Sequence, residues 1–472
     1  MTAAPTEVPA ITTPTPFTIS FSDADLEQFH RKLDDARLPD GPMFPASKSK
    51  DVEPKAFPTL ELIKGALQYW RNMDMKAFEA ELNTYPHFTT SIDWCKQLHF
   101  IHQPSSRPDA IPLIFCHGWP GSFLEAAHIA KPLAEPEDPS AQAFHVVIPS
   151  LPGYTFSSGP PTKEHETGDV DGYCRLLDAL MRGLGYDRYA AQGGDWGSVH
   201  ARVLASRFAK NDGSGCRAVH LNFLPTVPGG KYGGGLLMAL PESVSQKLAD
   251  WTMSEEERKA VRKALLYNNY GSAYYKIQRE RPSQIGFGLI DSPVAILGYM
   301  ANFTNGLGIN IGAQSKLDID WLLHETFLYW VTKSAATSFL PYALNKPFVL
   351  YMLDSTYRVD VPFGYTGFPN EIIDCPLNWA RNASRSNTSR FTWYAKSPTG
   401  GHLASTEKPH IFIAHMRAAF APKGEDSVSS NKDVYGKQGD EDKLFVQGAS
   451  WKSGGLWDEE RKKDKKTGAA HL

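Results

Sequence analysis

From about residue 95 onward the chain alternates short apolar runs with loops rich in Gly and Pro. The runs are KQLHFIHQP, IPLIFC, FHVVIP, RYAAQ, AVHLNF, YRVDVPF and RFTWYA, with stretches of helical period between several of them. Runs of this length read as buried strands, and their alternation with helices predicts an α/β architecture, a mostly parallel sheet covered on both faces. Upstream, Ser22 with Asp25 three positions on predicts a helix start whose Leu26, Phe29 and Leu33 share one face. A second helix is expected over Leu60 to Trp70, leading into LNTYPHF. Residues 226–345 are far too long for an ordinary crossover. Ser254 with Glu257 forms a capping box there, and Leu322, Leu323, Phe327 and Trp330 fit a second amphipathic helix. A helical lid inserted over the carboxyl ends of the strands follows, because ligands of open α/β sheets bind at that edge.

The segments divide accordingly. Residues 1–16 are Pro/Thr-rich and expected to be disordered, 17–104 form an amino-terminal extension, and 105–225 the first half of the core. The lid spans 226–345, the second half of the core 346–420, and a polar tail 421–472, which Phe445, Trp451 and Trp457 could dock. No period of the length used by solenoids or propellers recurs.

Composition narrows the partner more than the reaction. A net charge of −3 over 472 residues leaves no electrostatic footprint for nucleic acid. No apolar stretch approaches the roughly 20 residues of a membrane helix, and the amino terminus has neither a basic nor an apolar signal region. Five cysteines without CxxC spacing suit a reducing compartment, hence the cytoplasm. The terminal Ala470-His471-Leu472 loosely fits a peroxisomal address. A small uncharged substrate is the expected partner, and assembly as monomer or homodimer is left open.

The most informative string is Gln192-Gly193-Gly194-Asp195-Trp196-Gly197-Ser198, between a short strand and the amphipathic run SVHARVLASRF. It matches the small-x-nucleophile-x-small elbow of α/β hydrolases, with Asp195 where those enzymes often carry Ser. Glycine-flanked aspartates are also common in ordinary turns; the strand-turn-helix context distinguishes this one. Directly after IPLIFC comes His117-Gly118-Trp119-Pro120-Gly121-Ser122-Phe123. That loop and the residue after the nucleophile supply the N–H groups of an oxyanion hole, here assigned to Trp119 and Trp196. Pro120 has no N–H and narrows the choice. Gly400-Gly401-His402 follows the last strand, and the order Asp, acid, His is that of α/β hydrolases. The acid is expected on the loop after the preceding strand, where Glu371 is best placed. Asp374 is the runner-up, with Asp354 and Asp360 nearby.

Taken together these motifs resemble the microsomal-type epoxide hydrolases with their fungal and insect relatives. The resemblance covers about residues 17–420: the amino-terminal PFTISFSDADLEQFHRKLDDARLP, LNTYPHFTTSIDW and LHFIHQ, then HGWPGSF, GGDWGS, the lid, GFPNE and GGHLAS. It implies the α/β-hydrolase fold with the family's amino-terminal domain over 17–104, no cofactor and no metal, and Glu371 as charge-relay acid. It also implies two lid tyrosines, Tyr342 and Tyr274, with the adjacent Tyr275 as the competing assignment. This chain departs from the family in lacking a membrane anchor, in an insertion around 343–356, and in extra residues before His402.

The implied chemistry is coherent. An epoxide has a poor alkoxide leaving group, so its opening needs a nucleophile at carbon and proton donors at oxygen. Asp195 would attack carbon while the tyrosines protonate the oxygen, and His402 with Glu371 would activate the water that cleaves the resulting ester. A haloalkane-type dehalogenase with the same triad is the nearest alternative, and a catalytically silent hydrolase-fold binding protein the other. A serine esterase is disfavoured because no GxSxG follows a suitable strand. Biosynthetic, detoxifying and catabolic roles would use the same residues.

Overall fold

The apolar runs pair into one nine-stranded sheet in the computed structural model, which describes residues 8–42, 58–160, 168–226, 240–301, 319–347, 350–351, 354–384 and 391–421. The strands are β1 (Thr15–Pro16), β2 (His87–Ile92), β3 (Cys95–Gln103), β4 (Ile111–Cys116), β5 (Phe144–Pro149), β6 (Arg188–Gly193), β7 (Gly215–Leu221), β8 (Phe363–Gly367) and β9 (Phe391–Lys396). Their spatial order is β1-β2-β3-β5-β4-β6-β7-β8-β9. The first three pair antiparallel and β3 runs antiparallel to β5, whereas every pair from β5 to β9 is parallel. β4 lies between β5 and β6 and is buried at all six positions, which is why its sequence is continuously apolar instead of alternating.

Helices α1 (Asp23–Asp34), α2 (Leu60–Arg71) and α3 (Met75–Leu82) precede the sheet proper, and α4 (Leu124–Ala134), α5 (Val170–Gly183) and α6 (Asp195–Arg207) cover it. The expected box at Ser22 is formed: its hydroxyl accepts the Asp25 N–H at 3.1 Å while the Asp25 carboxylate accepts the Ser22 N–H at 3.3 Å. A cap of this kind is worth about 1 kcal/mol. Phe29 and Leu33 on the inner face of α1 are buried, Phe29 against Trp70 of α2.

The inserted block is helical where it is described: α7 (Glu242–Thr252), α8 (Glu255–Leu266), α9 (Ala273–Glu280), α10 (Pro282–Asp291), α11 (Pro293–Met300), α12 (Ile319–Val331) and α13 (Leu340–Ala343). Ser254 and Glu257 cap α8 reciprocally. Helices α14 (Leu377–Arg381), α15 (Ala404–Glu407) and α16 (Pro409–Phe420) complete the chain's described part. Among the described residues no helix is long and apolar enough to cross a membrane, and the five cysteines are free and buried.

Two expectations are corrected. Residues 8–16 are not disordered: Ile11 bridges Ile92, the Thr12 N–H donates to the Ser91 carbonyl, and β1 adds to the sheet edge. Proline is tolerated there because an edge strand leaves one side unpaired. YRVDVPF is not a strand either. Tyr357 ends a 3-10 turn and Val359 makes only an isolated bridge to Ser384. Pairing begins at Phe363, after Pro362, whose ring removes the N–H a ladder needs. Residues 227–239 and 302–318 of the expected lid lie outside the described residues. So does the tail from 422, with Phe445, Trp451, Trp457 and Ala470-His471-Leu472.

Candidate active site

β6 ends at Gly193 and α6 begins two residues later, so the chain reverses within the elbow. Asp195 turns it with φ of 45°, left-handed backbone that costs a non-glycine residue about 1–3 kcal/mol. Such strain persists only where the surroundings enforce it. A Cβ on Gly193 would lie 2.1 Å from the Gly197 carbonyl oxygen, and one on Gly197 only 1.8 Å from that of Cys116. Both positions must therefore be glycine for α6 to pack against β4. The strain projects the Asp195 carboxyl from the sheet's carboxyl edge, 5% exposed.

Two neighbours hold that carboxyl. The Trp119 N–H donates to Oδ1 at 2.9 Å, and His402 Nε2 stands 3.2 Å from Oδ2. Gly118 approaches so closely that a Cβ there would meet the Asp195 Cβ at 2.3 Å. Trp196 is the second residue of α6, where no carbonyl within the helix can take its N–H, and the positive end of the helix dipole favours an anion.

The third side chain comes from the loop after β8. Glu371 is fully buried, and its Oε1 lies 2.5 Å from His402 Nδ1. A bridge between Asn370 and Gly401 fastens the acid loop to the histidine loop, and Gly400 takes φ of 98°, a conformation glycine adopts freely. Burial works against a charged imidazole, yet Glu371 and Asp195 outweigh it and hold His402 well above its ordinary value. Asp374 instead pairs with Lys263 at 2.7 Å, Asp354 with Lys346 at 2.9 Å, and Asp360 is exposed.

Over Asp195 a cavity of about 320 Å³ is lined by Phe223, Tyr267, Tyr274, Tyr275, Tyr342 and Ile372, among others. Tyr342 is 1% exposed, and its hydroxyl has no hydrogen-bond partner among the described residues. The Tyr274 ring stacks on Trp119 with centroids 5.6 Å apart, whereas the Tyr275 ring packs against Tyr342 at 5.3 Å. Burial, then the Asp195 charge, push the Tyr342 phenol well above its usual value, so it remains a proton donor. At Tyr274 burial leads and the neighbouring phenol Tyr267 and Asp195 add to the same upward shift.

Two residues escaped the reading of the sequence. Tyr267 places its hydroxyl 2.9 Å from that of Tyr274, across a single π-helical turn spanning Tyr267–Gly271. The π turn and the non-helical Ser272 between them take the pair out of α-helical register, so the sequence carried no periodic signal for it. Glu125 lies buried beneath the HGWP loop, where its Oε2 accepts the Gly118 N–H at 3.4 Å, and burial pushes its carboxyl up to about 8. No local pattern marks it out from a surface glutamate of α4.

Comparison with known proteins adds the lineage. Residues 14–126 match the family model described as epoxide hydrolase N terminus, and residues 111–222 that of the alpha/beta hydrolase fold. Epoxide hydrolase 1 of Sus scrofa is 30% identical over 85% of this chain and 87% of its own. The solved epoxide hydrolase of Aspergillus niger is 30% identical and superposes with a TM-score of 0.70 over 86% of this chain and 96% of that one. The juvenile hormone epoxide hydrolase of the silkworm Bombyx mori, 25% identical, gives 0.71 over 85% and 92%. A glycine-braced aspartate at the strand-to-helix turn, in a chain alike to these relatives along nearly its whole length, makes this protein a member of the epoxide hydrolase family with the α/β-hydrolase fold.

Proposed function

We propose that this chain hydrolyses a small uncharged epoxide to a vicinal diol through an alkyl ester on Asp195. The Asp195 carboxylate attacks a ring carbon while Tyr274 and Tyr342 bond the ring oxygen and deliver a proton to it. With its carboxylate esterified, Asp195 no longer supports the imidazolium, and His402 becomes a base held by Glu371. It takes a proton from water, which attacks the ester carbonyl, and the N–H groups of Trp119 and Trp196 receive the oxyanion. The observation that carries the reading is the carboxyl held between the Trp119 N–H and His402, in a cavity also lined by Tyr342, whose hydroxyl has no hydrogen-bond partner among the described residues. Water is the co-substrate, and the scheme calls for no metal or organic cofactor.

In this reading residues 105–225 and 346–420 supply elbow, acid and base, 226–345 bring the phenols, and 17–104 seat that lid. The test is to incubate wild type and Asp195→Ala with aliphatic and aryl epoxides, haloalkanes and simple esters, measuring diol, halide and acid. Diol from wild type alone is expected. Halide without diol would replace the reading with a dehalogenase, and no turnover of any substrate would leave a binding protein.

A further inference from the structure

The lid carries a third phenol that the two-tyrosine scheme leaves unused. Tyr267 lines the same cavity as Asp195, and its hydroxyl is 2.9 Å from that of Tyr274. It is also firmly seated. Its ring packs on Phe223 and Ile372, and Phe223 in turn stands edge-on to the His402 ring at 5.5 Å. The helix before it, α8, is tied to the acid loop by Lys263, which bonds the Pro369 carbonyl at 2.9 Å and Asp374 at 2.7 Å. Glu257 of α8 accepts the Trp379 indole N–H at 2.9 Å. A phenol pair held this rigidly at hydrogen-bond distance has two arrangements. If Tyr274 donates to Tyr267, its proton points away from the substrate. If Tyr267 donates to Tyr274, the Tyr274 proton is free to face the ring oxygen.

Resting on the epoxide reading above, we propose that Tyr267 is a positioning residue and proton relay for ring opening, donating to Tyr274 so that Tyr274 donates to the epoxide oxygen. In the first step the C–O bond of the ring breaks as the bond from carbon to the Asp195 carboxylate oxygen forms. The ring oxygen takes the Tyr274 proton, the Tyr274 oxygen takes or shares the Tyr267 proton, and the negative charge spreads over two phenol oxygens instead of one. In the second step the attacking water supplies two protons. One completes the hydroxyl released from the ester, and the other returns to the phenolate pair, leaving Asp195 as carboxylate and all phenols neutral. A hydrogen bond to an ionised partner, in a half-buried site, is strong enough that its loss slows ring opening about 10–100-fold. In the second step the pair only recovers its proton after His402 has driven the attack of water, so the rate of ester cleavage is untouched.

The experiment is rapid-quench single turnover with styrene oxide, following the mass increment on the Asp195 peptide as the ester forms and decays. Tyr267→Phe should form ester about 10–100-fold more slowly than wild type and cleave it at the wild-type rate. In a Tyr274→Phe enzyme, adding Tyr267→Phe should cost nothing further, because the relay has no one to serve. Ester formation at the wild-type rate, equal slowing of both steps, or full additivity in the double variant would each overturn the relay. Should Tyr267→Phe fail to fold, 3-fluorotyrosine at 267 keeps the ring with a more acidic hydroxyl: faster ester formation supports the relay and an unchanged rate refutes it. Absence of any ester in wild type takes down the epoxide reading itself, and the relay with it.

Discussion

Replacing Tyr342 by Phe should make the protein more stable and less active. The side chain is 1% exposed and its hydroxyl meets no hydrogen-bond partner among the described residues. A buried hydroxyl left unsatisfied costs about 1–3 kcal/mol, and phenylalanine keeps the ring while removing that cost. With about 2.1 cal/mol/K of unfolding entropy per residue, a chain of 472 residues has an unfolding entropy of about 1 kcal/mol/K. The melting midpoint should therefore rise by about 1–3 °C in differential scanning calorimetry of the ligand-free enzyme. The hydroxyl's partner in this account is the epoxide oxygen, which acquires charge as the ring opens. Losing a bond to a charged group costs about 1.5–3 kcal/mol, so ester formation should slow roughly 10–100-fold. A lower midpoint would refute the reasoning, since it would mean that the hydroxyl is bonded within the folded protein. So would unaltered ring opening alongside a raised midpoint.

Glu371→Gln, which keeps the shape but not the charge beside His402 Nδ1, should lower turnover by about the 10⁴ seen for the equivalent change in a serine-protease triad. Asp374→Asn, which breaks only the Lys263 pair, should stay near wild type in steady-state assays; the reverse ranking would move the acid to 374. The hydrolytic step needs neutral His402, so acidification should raise the steady-state fraction of alkyl-enzyme measured by mass spectrometry, and an ester level independent of pH would contradict the assignment. Stability carries the matching sign. Because the folded value of His402 is raised, its contribution is fully present below about pH 6.5 and is lost as pH rises through that folded value, so His402→Gln should flatten that alkaline decline in melting temperature.

How much of this was legible depended on whether the physics was local. The elbow was, because a strained aspartate between a strand and a helix demands small neighbours within two residues, and Gly193, Gly194 and Gly197 stand in plain sight. The histidine was legible by its place after the last strand. Glu371 and Asp374 were not separable, since three positions along a loop decide which carboxylate faces His402 and which faces Lys263, and Lys263 is remote in sequence. Tyr267 was hidden for a related reason: its partner is set by a π turn, whose extra residue leaves no signature in hydrophobic periodicity. The edge strand at Thr15–Pro16 looked disordered because composition reports the cost of ordering a Pro/Thr segment and not the sheet edge waiting to receive it.

The two phenols hang from different supports. Tyr274 follows α8, which is pinned to the acid loop, whereas Tyr342 follows α12, which is gripped on two sides. On one side Phe327 and Trp330 lie against Phe29, with Phe78 stacked on His324. On the other, Tyr329 bonds the Gly121 carbonyl and Glu325 accepts from Ser122. The Tyr342 ring also meets Tyr275 at 5.3 Å and Tyr274 at 6.4 Å, so in the proposed scheme the gap between the phenol oxygens, and with it which ring carbon faces Asp195, depends on that contact and on both seams. Under that scheme, substitutions at the seam of Phe29 and Phe78 would shift regiochemistry while leaving every residue that lines the cavity as it was.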